Sequence, residues 1–338
     1  MRPIGHRLAG ALLAFGAAAA AAILLAPLVG STPISLRRAF DLSVPFGENP
    51  DAQIFFIARL PRTLAGALVG GALAAAGVVF QGLLRNPLAT PFTLGVSTGA
   101  ALGAMLAITF GGAAIAWFSV PLAPLASFAG ALVGVGVVYF LASARHRGLS
   151  THVLLLAGVT MNAFFSALIL FVQYFADFAE TFRMLRWLMG DLDVSSYTPL
   201  VTSAPLVAVA FAVFAWLARP LNLLSLGEDA AESRGLDVAR AQRAAFVSAS
   251  LATGAAVSVG GPIGFVGIIV PHLVRLLVGA DHRIVLPAST LFGAAFLIGC
   301  DAIARTVLAP LELPVGVITA LVGGPFFLWL LVRRTGRS

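Results

Sequence analysis

The stretch RLPRTLAGALVGGALAAAGVVFQGLL, residues 59–84, decides the fold class of this chain. Its apolar part, residues 62–84, is long enough to cross a bilayer as one helix, which requires about 20 mainly apolar residues. Glycine and alanine recur through it, and small residues let membrane helices approach one another closely. The stretch therefore predicts a packed transmembrane helix headed by two arginines, Arg59 and Arg62.

The composition of the whole chain agrees with that interpretation. Of 338 residues, 59% are hydrophobic and only 10% are charged, whereas a soluble domain carries about 25% charged residues. Such a chain is expected to be an integral membrane protein. The abundance of glycine, and the lack of ten-residue apolar–polar alternation, favour an all-α protein over a β-barrel.

The spacing of the apolar runs predicts about ten transmembrane helices within a single transmembrane domain over residues 1–338. The runs cover residues 8–29, 62–84, 92–110, 121–142, 152–173, 197–217, 242–260, 263–278, 285–300 and 314–332. The eighth of these is short and flanked by glycine and proline, so nine helices is the alternative.

The arginines orient these helices. All 21 basic residues are arginine, and ten helices with a cytoplasmic N-terminus place about twice as many of them inside as outside. That excess obeys the positive-inside rule. Both termini are therefore expected to be cytoplasmic, and nine helices would put the basic C-terminal tail outside.

Several function classes fit this sequence poorly. Without lysine the chain lacks the P-loop residue that reaches the nucleotide phosphates, so any ATP hydrolysis must occur on another polypeptide. No acidic residue falls in the middle of an apolar run, where an ion-coupled carrier usually keeps one. The five histidines lack metal-ligand spacing and the single cysteine is expected to pack in the core. We therefore expect no catalytic residue, metal or bound cofactor, with a stand-alone carrier and a membrane enzyme as weaker alternatives.

Residues 219–241 form the most polar long stretch of the chain. Breaks at Gly227 and Gly235 suggest two short helices on the cytoplasmic side, and the acidic residues after Gly227 suit a helix start. The segment is either a solvated loop or a docking element for a cytoplasmic partner.

Three long blocks of this sequence resemble the FecCD-type permeases, the membrane subunits of ABC importers for iron-siderophores, haem and vitamin B12. The blocks are RLPRTLAGALVGGALAAAGVVFQGLLRNPLATPFTLGVSTGA, GPIGFVGIIVPHLVRLLVGADHRIVLPAS and ARTVLAPLELPVGVITALVGGPFFLWLL. The resemblance implies a type II ABC importer permease in the bacterial cytoplasmic (inner) membrane. It further implies a homodimer surrounded by lipid, two ATPase subunits that bind ATP and magnesium, and an external substrate-binding protein, with no nucleic-acid partner.

The resemblance also implies roles for individual positions. Arginines at the outer face of such permeases receive carboxylates of the binding protein, and arginine can grip a carboxylate with two parallel hydrogen bonds. The matching docking residues here are Arg59, Arg62 and Arg305. Snorkelling arginines that anchor helix ends are the alternative.

The remaining matches concern the gate and the ATPase contact. A cytoplasmic gate is expected at Asn86, Leu88, Thr151 and His152, where His152 replaces the small serine usual in the family. The segment LGEDAAESRGLDVARA resembles the coupling-helix segment, and its matching residues are Gly227, Glu228, Ala231 and Gly235.

The fifth and tenth helices are expected to line the pathway. Their small or mildly polar candidates are Thr160, Asn162, Ser166, Thr319 and Gly323. These residues identify no ligand. The resemblance implies an iron chelate, either a siderophore or haem, as cargo, with cobalamin as the alternative.

Overall fold

The computed structural model describes residues 4–111, 116–117, 120–143, 151–194 and 196–335. Within them the chain is helical, apart from a two-residue antiparallel pair, β1 (Ala116–Trp117) and β2 (Val120–Pro121). The apolar helices are α1 (Ile4–Leu25), α4 (Leu60–Leu83), α5 (Val96–Phe110), α6 (Leu122–Ser143), α7 (Thr151–Gln173), α9 (Thr198–Leu224), α11 (Val238–Gly260), α12 (Val266–Val278), α13 (His282–Thr306) and α14 (Val315–Thr335).

Shorter helices connect these elements. They are α2 (Leu36–Ala39), α3 (Pro50–Gln53), α8 (Phe178–Leu188) and α10 (Glu228–Glu232), with 3-10 turns at Ala26–Leu28, Phe46–Glu48 and Pro91–Leu94 and a π-helical stretch at Ile54–Arg59. Helix α8 begins with a capping box in which the Asp177 carboxylate and the Glu180 backbone N–H pair at 2.7 Å.

The predicted helix count is confirmed. In the described part of the chain, seven helices are long and apolar enough to span a membrane, and α5, α12 and α14 supply three shorter apolar helices. Together they make ten apolar helices, the number expected from the apolar runs, although only the seven longer ones reach spanning length among the described residues.

Helix α4, formed by the opening stretch, lies at the centre of the bundle. It packs against α9, α11, α12 and α13, and most of its residues are buried. Close approach depends on glycine: a Cβ at Gly70 would lie 2.3 Å from the carbonyl oxygen of Gly293, and one at Gly77 would lie 2.1 Å from that of Gly267. Larger side chains there would push α13 and α12 away.

The predicted end of the ninth apolar helix is wrong. Helix α13 runs to Thr306, beyond the predicted end at residue 300, so it includes Asp301 and Arg305. Asp301 is buried within a membrane-length helix instead of lying in an outer loop. Its charge is paired with Arg62 from α4 and with Arg305 one turn further along α13, and sequence hydropathy does not reveal this pairing.

Candidate functional site

The outer arginine cluster, comprising Arg59, Arg62, Arg305, Asp301 and Glu312, lies where α4 and α13 meet. Arg62 Nε lies 2.9 Å from Asp301 Oδ1, and Arg62 Nη1 lies 2.6 Å from Glu312 Oε2. Arg305 Nε approaches the other oxygen of Asp301 at 3.0 Å. One buried carboxylate therefore serves two arginines from different helices.

The cluster also holds the connection that follows α1. Arg59 Nη1 donates to the carbonyl oxygen of Pro27 at 3.1 Å, and its guanidinium also donates to the carbonyl of Thr32. Arg305 Nη1 donates to the carbonyl of Val29 at 2.9 Å. The arginines thus donate hydrogen bonds to backbone carbonyl groups in the segment that follows α1.

The three arginines predicted to dock the binding protein are buried in this structure. Arg59, Arg62 and Arg305 are only 6%, 6% and 3% exposed. A buried charge must be paired, and here the partners come from the same chain. Docking therefore stays a prediction, and Glu312, whose side chain is 42% exposed, marks where a partner could reach the cluster.

The first predicted gate segment forms a tight turn directly after α4. The Asn86 side-chain oxygen accepts the backbone N–H of Leu88 at 2.9 Å, and the Asn86 carbonyl accepts that of Ala89 at 3.1 Å. The Asn86 side chain therefore stabilises the turn through a hydrogen bond to the backbone, as asparagine commonly does. Leu88 remains exposed at its tip.

The second predicted gate segment, Thr151 and His152, begins α7. The His152 side chain is exposed, while the Thr151 side chain lies outside the described residues, as does the stretch 144–150. Among the described residues no hydrogen bond or ion pair joins His152 to Asn86 or Leu88. The shared gate therefore stays a prediction.

The cytoplasmic insert contains the short helix that the glycines predict. Gly227 has φ +108° and Gly235 has φ +80°, both in the region that favours glycine, and α10 lies between them. Ala231 is fully buried, and its carbonyl accepts the backbone N–H groups of Arg234 and Leu236, each at 3.1 Å. All four predicted coupling residues lie in or beside α10.

The expected second short helix is absent from the described insert. Residues 219–224 complete α9, which continues through Pro220, and the chain after Gly235 enters α11 directly. The Asp237 side chain caps α11 by accepting the backbone N–H of Arg240 at 2.9 Å. Because α9 and α11 both contact α10, the short helix is held between two long ones.

Arg85 is a functional candidate that sequence reasoning missed. Its Nη2 lies 2.7 Å from Glu228 Oε1, which joins the end of α4 to the start of α10. Arg85 also has φ +50°, unusual for a residue other than glycine. Its position immediately before Asn86 was the available signal, but its partner lies 143 residues away.

Three predicted pathway residues are engaged in packing. The Asn162 side-chain oxygen accepts the Thr98 hydroxyl at 2.6 Å, and its amide donates to the Phe92 carbonyl at 2.8 Å. Thr319 is buried, and a Cβ at Gly323 would lie 2.4 Å from the Phe265 ring. Their immediate contacts are therefore structural.

The other two, Thr160 and Ser166, are exposed on α7. The Thr160 hydroxyl donates to the Leu156 carbonyl at 2.9 Å, so it already has a partner within its own helix. A lining role for both residues stays a prediction.

An open cavity of about 580 Å³ lies beside α12 and α14. Its lining residues are Phe92, Leu188, Met189, Pro262, Gly264, Phe265, Gly316, Val317, Ala320 and Leu321. None of these side chains is ionisable, so the cavity offers an apolar surface with backbone polar groups.

The profile of the FecCD transport family matches residues 18–333, which is most of the chain. The chain belongs to the FecCD transport family. As a FecCD member it is a transport permease subunit, and its apolar helices make it a multi-pass membrane protein.

Named relatives cover FecCD permeases for several cargoes. The cobalamin import permease BtuC of Halobacterium salinarum is 43% identical over 90% of this chain and 80% of its own. The hemin permease HmuU of Yersinia pestis is 39% identical over 90% of both chains. The Fe(3+)-citrate permease YfmD of Bacillus subtilis is 34% identical over 92% of this chain and 90% of its own.

A solved structure of an ABC transporter is similar to this chain in three dimensions. A metal-chelate type ABC transporter in an inward-facing conformation superposes with a TM-score of 0.81 at 30% identity, over 96% of this chain and 99% of that one. The chain thus has the fold of a type II ABC importer permease, as its sequence predicts.

Proposed function

We propose that this permease carries an intact iron chelate, either a ferric siderophore or haem, into the cell. Two copies would form the pathway, with two ATPase subunits that bind ATP and magnesium below and a substrate-binding protein outside. This chain would bind no nucleotide and catalyse no reaction. Relatives named for hemin and Fe(3+)-citrate support the cargo class.

The apolar lining of the cavity beside α12 and α14 carries this proposal. Phe265, Phe92 and Leu321 present carbon surface, and the remaining lining adds no ionisable group. A chelate hides the metal charge inside an organic shell, so it can slide along such a surface without strong binding. A bare metal ion would instead require oxygen, nitrogen or sulfur ligands.

The contacts around α10 suggest how ATPase motion would reach the pathway. A movement of α10 would act on α4 through Glu228 and Arg85, and on α9 and α11 through the buried Ala231. The turn at Asn86 and Leu88, the proposed gate, follows Arg85 directly. ATP-driven tilting of α10 could therefore displace the gate as a rigid-body motion.

Docking of the binding protein would occur above the outer arginine cluster. An incoming carboxylate would compete with Glu312 for Arg62, since Glu312 is the exposed member of the cluster. This exchange would keep the buried arginine paired throughout, which avoids the cost of an isolated buried charge.

Cobalamin is the second candidate cargo, because the relative from Halobacterium salinarum named for cobalamin import is 43% identical. Cobalamin is also a metal chelate with a large organic surface, so the cavity suits both candidates.

Reconstitution would separate these possibilities. Proteoliposomes would contain this permease, its ATPase subunit and the binding protein encoded beside it, loaded in turn with a ferric siderophore, haem or cobalamin. We expect uptake of an iron chelate that requires both ATP and the binding protein. Uptake of cobalamin alone would select the second candidate, and uptake without the ATPase would instead indicate a stand-alone carrier.

A further inference from the structure

A second cavity, which we call the inner groove, lies away from the proposed pathway. It has a volume of about 680 Å³ and opens between α1, α9 and α13. Leu12, Phe211 and Leu291 contribute its apolar wall, while Arg219 and Arg283 line it as well. The groove therefore combines a large carbon surface with two guanidinium groups.

The two arginines mark the end of the groove at the cytoplasmic membrane surface. Arg219 is close to the end of α9, and Arg283 is the second residue of α13. The orientation derived from the arginine distribution puts both helix ends on the cytoplasmic side. Phe211 and Leu291 are each about 12 Å deeper along their helices, at 1.5 Å per residue, so the apolar wall extends into the hydrocarbon.

At this end of the groove, one of the two arginines is paired with a carboxylate and the other is not paired in the described part of the chain. Arg283 Nη2 lies 2.7 Å from Asp281 Oδ2, and this hydrogen bond from Arg283 holds the pKa of the Asp281 carboxyl well below its usual range. That carboxylate also accepts the Asn222 amide at 2.7 Å. Arg219 is exposed and forms no ion pair within the described residues. The two arginines and the Asp281 carboxylate therefore give this end of the groove a net positive charge.

Trp216 strengthens the membrane assignment of the groove. It lines the groove one turn before Arg219 and is 49% exposed. Tryptophan is enriched at the membrane–water interface, where its ring fits the boundary between headgroups and acyl chains. Its position agrees with a headgroup near Arg219 and an acyl chain deeper in the groove.

We propose that the inner groove binds an anionic phospholipid from the cytoplasmic leaflet. The lipid phosphate would lie near Arg219 and Arg283, and one acyl chain would cover Phe211 and Leu291. Basic pockets between transmembrane helices on the cytoplasmic side suit such headgroups. The occupant is a lipid because the groove faces outward from the bundle, on helices other than α7 and α14, which are expected to line the pathway.

Fluorescence quenching can test this site on the full chain. The protein would be placed in nanodiscs that contain phosphatidylcholine and a small fraction of brominated phosphatidylglycerol, with brominated phosphatidylcholine in a parallel sample. Bromine quenches nearby tryptophan, so we expect stronger quenching by the anionic lipid. Trp216→Phe should remove that difference, while Trp329→Phe should retain it.

Two charge substitutions make the test specific. Arg219→Gln should weaken the preference for the anionic lipid about fivefold, the effect expected from one arginine near the membrane surface. Arg243→Gln is the matched control, because Arg243 is exposed on α11 near the same membrane face but outside the groove. It should leave the preference unchanged.

A steric variant keeps the test independent of Arg283, whose loss could unfold the start of α13. Ala215→Phe fills the groove and should reduce quenching of Trp216 by both brominated lipids. The proposal is overturned if both lipids quench the native protein equally, if Arg219→Gln retains the preference, or if Arg243→Gln abolishes it to the same extent.

Discussion

The two ends of α4 carry arginine–carboxylate pairs that differ chiefly in burial. At the outer end, Arg62 and Asp301 lie 2.9 Å apart with side chains only 7% and 2% exposed. At the cytoplasmic end, Arg85 and Glu228 lie 2.7 Å apart with side chains 42% and 43% exposed. The distances are nearly equal, so the surroundings determine what each pair does.

Burial makes the outer pair costly to break, whereas the exposed inner pair can separate at little cost. Removing one partner from a buried pair strands an unsolvated charge, which is costly. Breaking an exposed pair returns both groups to water at little cost. A contact that must separate and reform during transport therefore suits the position of Arg85 and Glu228.

The largest expected effect comes from reversing charge at the outer end. In the double variant Arg59→Glu and Arg62→Glu, new carboxylates would face Asp301 and Glu312, with Arg305 the one cation left in the outer arginine cluster. We expect a loss above the roughly 3–5 kcal/mol typical of removing one buried partner, so little folded protein should accumulate. Membrane-fraction yield and size-exclusion profiles measure this.

Because the double variant is expected not to fold, docking of the binding protein should be tested with a different substitution. If these arginines were exposed docking residues, the double reversal would abolish stimulation by the binding protein while assembly survived. Glu312→Gln is now the better probe, since it leaves the buried arginines and Asp301 in place. Normal assembly of the double variant would show that the outer cluster is dispensable for folding.

The next largest effect is expected for Asp301→Ala. It removes the carboxylate shared by Arg62 and Arg305, and we expect a loss of about 3–5 kcal/mol. Thermal unfolding in detergent, followed by intrinsic fluorescence, measures it. Glu312→Ala, at the exposed edge of the same cluster, should cost much less, and equal losses would contradict the distinction based on burial.

At the cytoplasmic end, Gly227→Ala should have an intermediate effect. Gly227 has φ +108° and ψ 157°, a backbone conformation essentially reserved for glycine, and strain there costs about 1–3 kcal/mol. We expect weaker ATP-driven uptake because α10 would be misplaced. Gly47→Ala is the control, since a Cβ meets no atom within 4 Å at either glycine and only Gly227 of the two has a positive φ. A matching defect in the control would refute the backbone argument.

The smallest stability effect is expected for the exposed bridge itself. Arg85→Glu or Glu228→Arg should change the free energy of unfolding by about 1 kcal/mol or less. Uptake driven by ATP should nevertheless fall, because α4 and α10 lose their direct link. The charge-swapped double variant should recover uptake, and failure to recover with normal stability would remove the bridge from the coupling route.

Much of the fold was predictable from local sequence. The ten apolar runs became ten apolar helices, and Gly227 and Gly235 correctly bounded a short helix. These features depend on composition and backbone preference over short distances. The predicted end of α13 was wrong, because a hydropathy criterion excludes charged residues such as Asp301 that other helices can neutralise.

The site residues also fall into two groups: those that local motifs indicated and those whose partners are remote in sequence. The family motifs indicated Arg62 and Arg305 as site residues. Neither composition nor spacing indicated that the Asp301 carboxylate would lie between their side chains. Arg85 went unnoticed since its partner is remote in sequence.

The sequence by itself determined that this chain is a membrane protein with about ten apolar helices, because bilayer thickness translates directly into apolar length, and its motifs carried the resemblance to a permease family. Only the tertiary structure decided which charges are buried together and which stay in water. Coulombic attraction and desolvation both depend on the atoms that surround a charge, and those atoms come from distant parts of the chain.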